Sequence, residues 1–118
     1  MNNLKFRVWD KKLKLLGNVS CIDFDSKKMI YHNNFVGYYA KFEDVEIMQS
    51  TGLFDKYGVE IFEGDIVRNT HTGSVGRVHW CVHNTGFFYY VEKDYTVFRA
   101  KYNLEVIGNI YENKELLG

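Results

Sequence analysis

Thr51-Gly52-Leu53-Phe54-Asp55-Lys56-Tyr57-Gly58-Val59-Glu60-Ile61-Phe62-Glu63-Gly64-Asp65-Ile66-Val67 is the stretch that decides the fold class. Asp55-Lys56-Tyr57-Gly58 has Asp first and Gly fourth, the preference of a type I turn. Glu63-Gly64-Asp65 turns the chain again, into Ile66-Val67-Arg68. Short apolar runs closed off by tight turns are the pattern of a small barrel or sandwich, and helical periodicity is scarce along the chain.

Working outward, Thr70-His71-Thr72-Gly73 reads as a hairpin tip, 76–83 as its return strand, and Asn84-Thr85-Gly86 as a second tip before Phe87-Phe88-Tyr89-Tyr90-Val91. A polar stretch follows to Asn103. Residues 104–111 give a last strand, and 112–117 suffice for one helical turn. Upstream, Leu4, Phe6 and Val8 alternate with Lys5, Arg7 and Trp9. Residues 13–19 return as a second strand with a bulge or bend at Gly17-Asn18. Cys21-Ile22-Asp23-Phe24 forms a further strand. Asp25-Ser26-Lys27-Lys28 is a turn answered by Met29-Ile30-Tyr31, 35–42 is a loop followed by a weak strand, and 45–49 is a better one.

The 118 residues fit one domain, which buries its core without a staple. Aromatic residues at 17% favour strands and argue against disorder. Fifteen basic residues balance fifteen acidic ones, so the overall charge supplies no basic face for duplex nucleic acid. Cys21 and Cys81 make a poor disulfide framework, and both thiols are expected free in a reducing cytoplasm. Neither a signal-peptide run nor a stretch of ~20 apolar residues is present, so no membrane partner is expected.

The central segment, together with Phe6-Arg7-Val8-Trp9-Asp10, Met48-Gln49 and Val106-Ile107-Gly108-Asn109-Ile110-Tyr111-Glu112-Asn113, resembles the YopX family of bacteriophage and prophage proteins. The blocks lie in the expected order and span nearly the whole chain. The resemblance implies a mainly β fold with little helix: an SH3-like β-barrel over 51–118, preceded by β-strands and hairpins over 1–50, within a single compact unit 1–118. It also implies a cytoplasmic setting in an infected or lysogenic bacterium. It supplies no activity and no catalytic residues to carry over. Where the family often has Pro after the final Asn, this chain has Lys114.

Several residues bear on chemistry. His79, Cys81 and His83 share one face of a strand, but the outer two Cα atoms lie ~13 Å apart, too far for one zinc ion without full stretch. A metal site would take one adjacent pair plus His71 or Asp65. The alternative is simpler: Trp80 and Val82 line the core while the polar face meets solvent or a partner. Glu60, Glu63 and Asp65 are three nearby carboxylates, yet they sit in a turn, where backbone geometry alone favours such residues. No metal, cofactor or catalytic role is therefore expected. Tyr89, Tyr90, Arg77 and Arg99 are candidates for an interaction surface.

Two readings of function follow, with a metal-binding protein using the His79, Cys81 and His83 strand as a further alternative. One is a non-catalytic module that binds another protein or its own copies, using aromatic content and free hairpin edges. The other is a nucleic-acid-binding module, with Arg68, Arg77, Lys93, Arg99 and Lys101 on the backbone and Tyr89 or Tyr90 stacking on bases; the neutral charge disfavours it.

Overall fold

Alternation at the amino terminus builds β1 (Phe6–Asp10), and the chain then runs almost entirely as strands: β2 (Leu15–Asp23), β3 (Lys28–Asn33), β4 (Val36–Lys41), β5 (Val45–Phe54), β6 (Glu60–Phe62), β7 (Asp65–Asn69), β8 (Val75–Cys81), β9 (Gly86–Val91), β10 (Thr96–Arg99) and β11 (Leu104–Asn109). Short 3-10 turns cover Phe42–Asp44 and Lys114–Leu117. The computed structural model describes residues 5–81, 86–91, 96–99 and 103–117, with side chains over 5–79 and 103–117. The chain divides into two units, Met1–Ser50 and Thr51–Gly118.

In the first unit the strands lie in the order β4-β3-β2-β1-β5, each pair antiparallel. Val8, Met29, Tyr31, Ala40 and Val45 form the core, with Leu15, Val19, Ile22, Tyr38 and Phe42 packed against it. Tyr31 stacks on Tyr38, its partner across β3 and β4, at 5.3 Å between ring centroids. The Tyr31 hydroxyl donates to Asp10 Oδ2 at 2.6 Å, while Asp10 Oδ1 accepts the amides of Lys12 and Leu13 at 2.9 and 3.0 Å. One buried carboxylate thus ties the β1–β2 turn to the centre of the sheet. Burial works to raise the Asp10 pKa, but the Tyr31 hydroxyl, the two amides and the Lys12 charge together hold it below the ordinary value.

The expected break at Gly17-Asn18 is absent. β2 runs straight through Gly17 and on through Cys21-Ile22-Asp23, and its irregularity lies between Val19 and Cys21, at Ser20. Gly17 has a packing role instead: the Tyr31 ring lies over it, and a Cβ there would collide with the ring and sit 2.9 Å from the His32 carbonyl. The expected loop at 35–42 is also shorter than read. Asn34 and Phe35 turn the chain in two residues with φ of 49° and 69°, and β4 begins at once. This is type I′ geometry, which favours Asn-Gly. Phe35 is fully exposed, so no packing offsets its left-handed backbone. Phe35→Gly is expected to stabilise the first unit by about 0.5–1 kcal/mol, read as a rise in the urea midpoint.

In the second unit the sheet order is β10-β9-β8-β7-β11, again antiparallel throughout. Ile61, Val67, Val78 and Leu104 form its core, with Val106 against them. Phe62 is buried; the Trp80 side chain lies outside the described residues. The mainly β expectation holds, but among the described residues neither sheet closes into a barrel. The sheet ends on β10, of four residues, and on β11, bulged between Val106 and Gly108. Among the described residues these two end strands are not paired with each other, so the sheet stays open.

The turns of the central segment are held by side chains. Asp55 Oδ1 accepts the amides of Tyr57 and Val59, both at 2.8 Å, and Oδ2 accepts that of Val106 at 2.9 Å, so one carboxylate fixes a turn and pins it to β11. Burial works to raise the Asp55 pKa; the three amides outweigh it and hold it below the ordinary value. Asp65, 1% exposed, accepts the Phe62 amide at 2.8 Å. Between them Gly64, at φ 87°, donates to the Val78 carbonyl at 3.0 Å and accepts from the Ile110 amide at 2.9 Å. Asn109 Oδ1 closes the following turn by accepting the amides of Tyr111 and Glu112, both at 2.9 Å. The Asn113 side chain fills the space that a Cβ at Gly108 would need.

Candidate functional site

The carboxylates of the central segment serve the fold. Asp65 is committed to the 62–65 turn, while Glu60 and Glu63 are half-buried beside it. Among the described residues no three His, Cys, Asp or Glu side chains gather as a metal site would need. His71 is exposed on the β7–β8 turn, where its amide donates to Asn69 Oδ1 at 2.9 Å. His79 is half-buried on β8. Cys81 ends β8 opposite Gly86, its side chain outside the described residues, and His83 lies outside them altogether.

The proposed interaction residues fall on the same sheet. Arg77 is half-buried and in register with Ile66 on one side and Tyr90 on the other. Tyr89 stands opposite Val78, and Arg99 opposite Phe88. The side chains of Tyr89, Tyr90 and Arg99 lie outside the described residues, as do Lys93 and Lys101. Arg68 is engaged: its Nη2 donates to Glu105 Oε1 at 2.7 Å across β7 and β11.

Two features of the first unit bear on function. The first is an edge to which no further strand is paired among the described residues. β4 ends the sheet, and its ladder to β3 fixes which backbone groups face outward. A two-residue turn makes Asn33 and Val36 a hydrogen-bonded pair, and the Phe42 amide donates to the Lys27 carbonyl at 3.0 Å, so hydrogen-bonded pairs recur at every second position. Val36, Tyr38 and Ala40 therefore bond inward to β3, while Gly37, Tyr39 and Lys41 direct their backbone groups away from the sheet. Phe35, Val36 and Tyr39 stand exposed along this edge.

The second feature is a polar contact across the outer face. The irregularity at Ser20 brings its hydroxyl 2.5 Å from His32 Nδ1, and the His32 ring lies over Gly37, the residue opposite it on β4. A hydroxyl beside an imidazole is the start of a nucleophile and base pair. Ser20 and His32 are both exposed, and acyl transfer also needs donors aimed at a developing oxyanion. The contact fixes His32 on the sheet surface. No sequence signal marks it, because it depends on the register of two strands.

Among the described residues no helix is long and apolar enough to cross a membrane. The model of the family described as YopX protein matches residues 5–118. Protein EF1440 from Enterococcus faecalis, known from a crystal structure, is 31% identical over the full length of both chains and superimposes with a TM-score of 0.70. No curated protein matches. A match that takes in both units and all eleven strands of the described residues shows that the chain belongs to the YopX family.

Proposed function

We propose that this protein is a non-catalytic assembly module, a phage or prophage accessory protein working in the cytoplasm of its bacterial host, that joins copies of itself through the edge of β4. The observation that carries this is the six-residue edge strand with its outward row of backbone groups, flanked by fully exposed Phe35. Unpaired strand edges are templates for strand addition, and natural proteins usually blunt them with charge, proline or a covering element. Here Lys41 is the charge on the strand, at its far end. An antiparallel copy of β4 adds its own outward groups about a two-fold axis, the commonest symmetry of soluble oligomers. The relation of residues 51–118 to an SH3-like sheet, left open, belongs to the same proposal and is supported by five short antiparallel strands in the second unit.

One strand edge buries less than the ~1,600 Å² of a standard interface, so a dimer with micromolar dissociation is expected. Sedimentation velocity of the full chain across a concentration series tests it. Tyr39→Pro removes an outward amide without touching the ladder to β3, and is expected to weaken the dimer at least ~10-fold while the β-sheet circular dichroism persists. Tyr39→Ser keeps the amide and should leave the dimer intact. A wild-type chain that stays monomeric at hundreds of micromolar would falsify the proposal.

A further inference from the structure

Lys28 and Lys41 stand directly opposite each other on β3 and β4. The alternation set by the Phe42–Lys27 hydrogen bond makes theirs a non-hydrogen-bonded pair. In such a pair the Cα atoms are only ~4.5 Å apart and the side chains approach most closely. Like charges placed this way oppose the pairing of their strands. Neither lysine makes an ion pair among the described residues. Asp23, opposite Lys28 on β2, accepts the amides of Asp25 and Ser26 at 3.0 and 3.3 Å and attracts the Lys28 charge without closing to an ion pair, so Lys41 is the less compensated of the two.

Both lysines line two adjoining recesses at one end of the first unit. One, of about 440 Å³, is also bounded by Lys12, Tyr39, Asp10 and Asp44; the other, of about 270 Å³, by Lys27, Phe42 and Glu43. The carboxylates here are largely occupied. Asp10 holds Tyr31 and the turn amides, and Asp44 lies 3.5 Å from the Lys12 amine. Glu43 lines the smaller recess together with Lys27, Lys28 and Lys41. Two residues along β4 from Lys41, on the same face and with its Cα ~6.6 Å away, Tyr39 is 81% exposed.

We propose that this end of the sheet binds a nucleotide, its phosphate held between Lys28 and Lys41 and its base stacked on Tyr39. Anion binding neutralises the one repulsive cross-strand pair on this face, and aromatic stacking beside a basic track is how sequence-tolerant single-strand binders work. The same chemistry serves a free nucleotide or one within a single-stranded nucleic acid. The site uses the Lys28, Lys41 and Tyr39 side chains, whereas the assembly proposal uses the backbone edge, so either stands without the other.

The test uses the full chain with three probes: a labelled ten-residue oligothymidylate, ADP and inorganic pyrophosphate. Binding of the oligonucleotide or ADP is expected at ~10–100 µM in ~50 mM salt, weakening as salt rises. Lys41→Glu should reduce that binding at least ~10-fold while raising the thermal midpoint, because a carboxylate at this position faces Lys28 with the opposite sign. Tyr39→Ser should weaken ADP and oligonucleotide but not pyrophosphate. Oligonucleotide binding without ADP binding assigns the site to single strands; equal affinity per phosphate assigns it to free nucleotides. The proposal is overturned if none of the three probes binds at millimolar concentration, if pyrophosphate binds as tightly as ADP, or if Lys41→Glu leaves binding unchanged or lowers the midpoint.

Discussion

Asp55→Ala is expected to lower the stability of the second unit by about 3 kcal/mol, equivalent to ~15 °C or more in the melting midpoint of a unit this size. The replacement strands three amides at once: Tyr57 and Val59 in the turn, and Val106 on β11. Each loses a charged acceptor at a residue that is 8% exposed. Asp55→Asn keeps one acceptor oxygen and should fall between the two. The pH dependence separates loss of charge from loss of shape. The folded pKa of Asp55 lies below its unfolded value, so around pH 4 the unfolded chain binds more protons. The carboxylate's stabilisation is therefore complete above the unfolded value of about 3.9 and is lost as pH falls through the folded one. Urea melts from pH 2 to 7 should show a shallower acid limb for Asp55→Asn than for wild type; parallel limbs would mean the charge is immaterial.

In the first unit the largest effect is expected from Tyr31→Ala, about 3–5 kcal/mol, because a fully buried ring leaves a void beneath Tyr38 and beside Gly17. Tyr31→Phe isolates the hydroxyl, whose bond to the Asp10 carboxylate contributes about 1.5–3 kcal/mol. Burial, followed by the Asp10 bond and charge, raises the Tyr31 pKa. A raised value means this stabilisation is complete below the unfolded pKa of about 10 and is lost as pH rises through the folded one. Wild type should accordingly lose stability above pH 10 more steeply than Tyr31→Phe. Chemical denaturation at pH 7 and above pH 10 checks both parts, and equal slopes would remove the Asp10–Tyr31 bond from the account.

Local chemistry made part of this legible. The β1 alternation, the Asp25-to-Lys28 turn with its returning strand, and the Asp55-to-Gly58 turn are each written within a few adjacent residues. Most of what escaped reading needs two distant segments at once. The second oxygen of Asp55 reaches an amide 51 positions away. Gly17 reads as a bend but is the floor under a ring carried by another strand. The β3–β4 turn has Phe where the expected signal is Gly, so a tight reversal looked like a loop. Ser20 with His32, and Lys28 with Lys41, become neighbours through register alone. The segments that carry the family likeness, around Asp55, Gly64, Asp65 and Asn109, are occupied in fastening backbone to backbone. That is why they identify the fold without naming a reaction.

The fastening at Asp55 also has a colloidal consequence. Phe54, Tyr57 and Val59 are carried around the clamped turn and remain 57%, 65% and 48% exposed, because the loop cannot fold back to cover them. Water-facing greasy groups on a stiff support stick to one another without first having to be ordered. In concentrated stocks, and above all in ammonium sulfate, self-association through this patch is expected to contribute to precipitation.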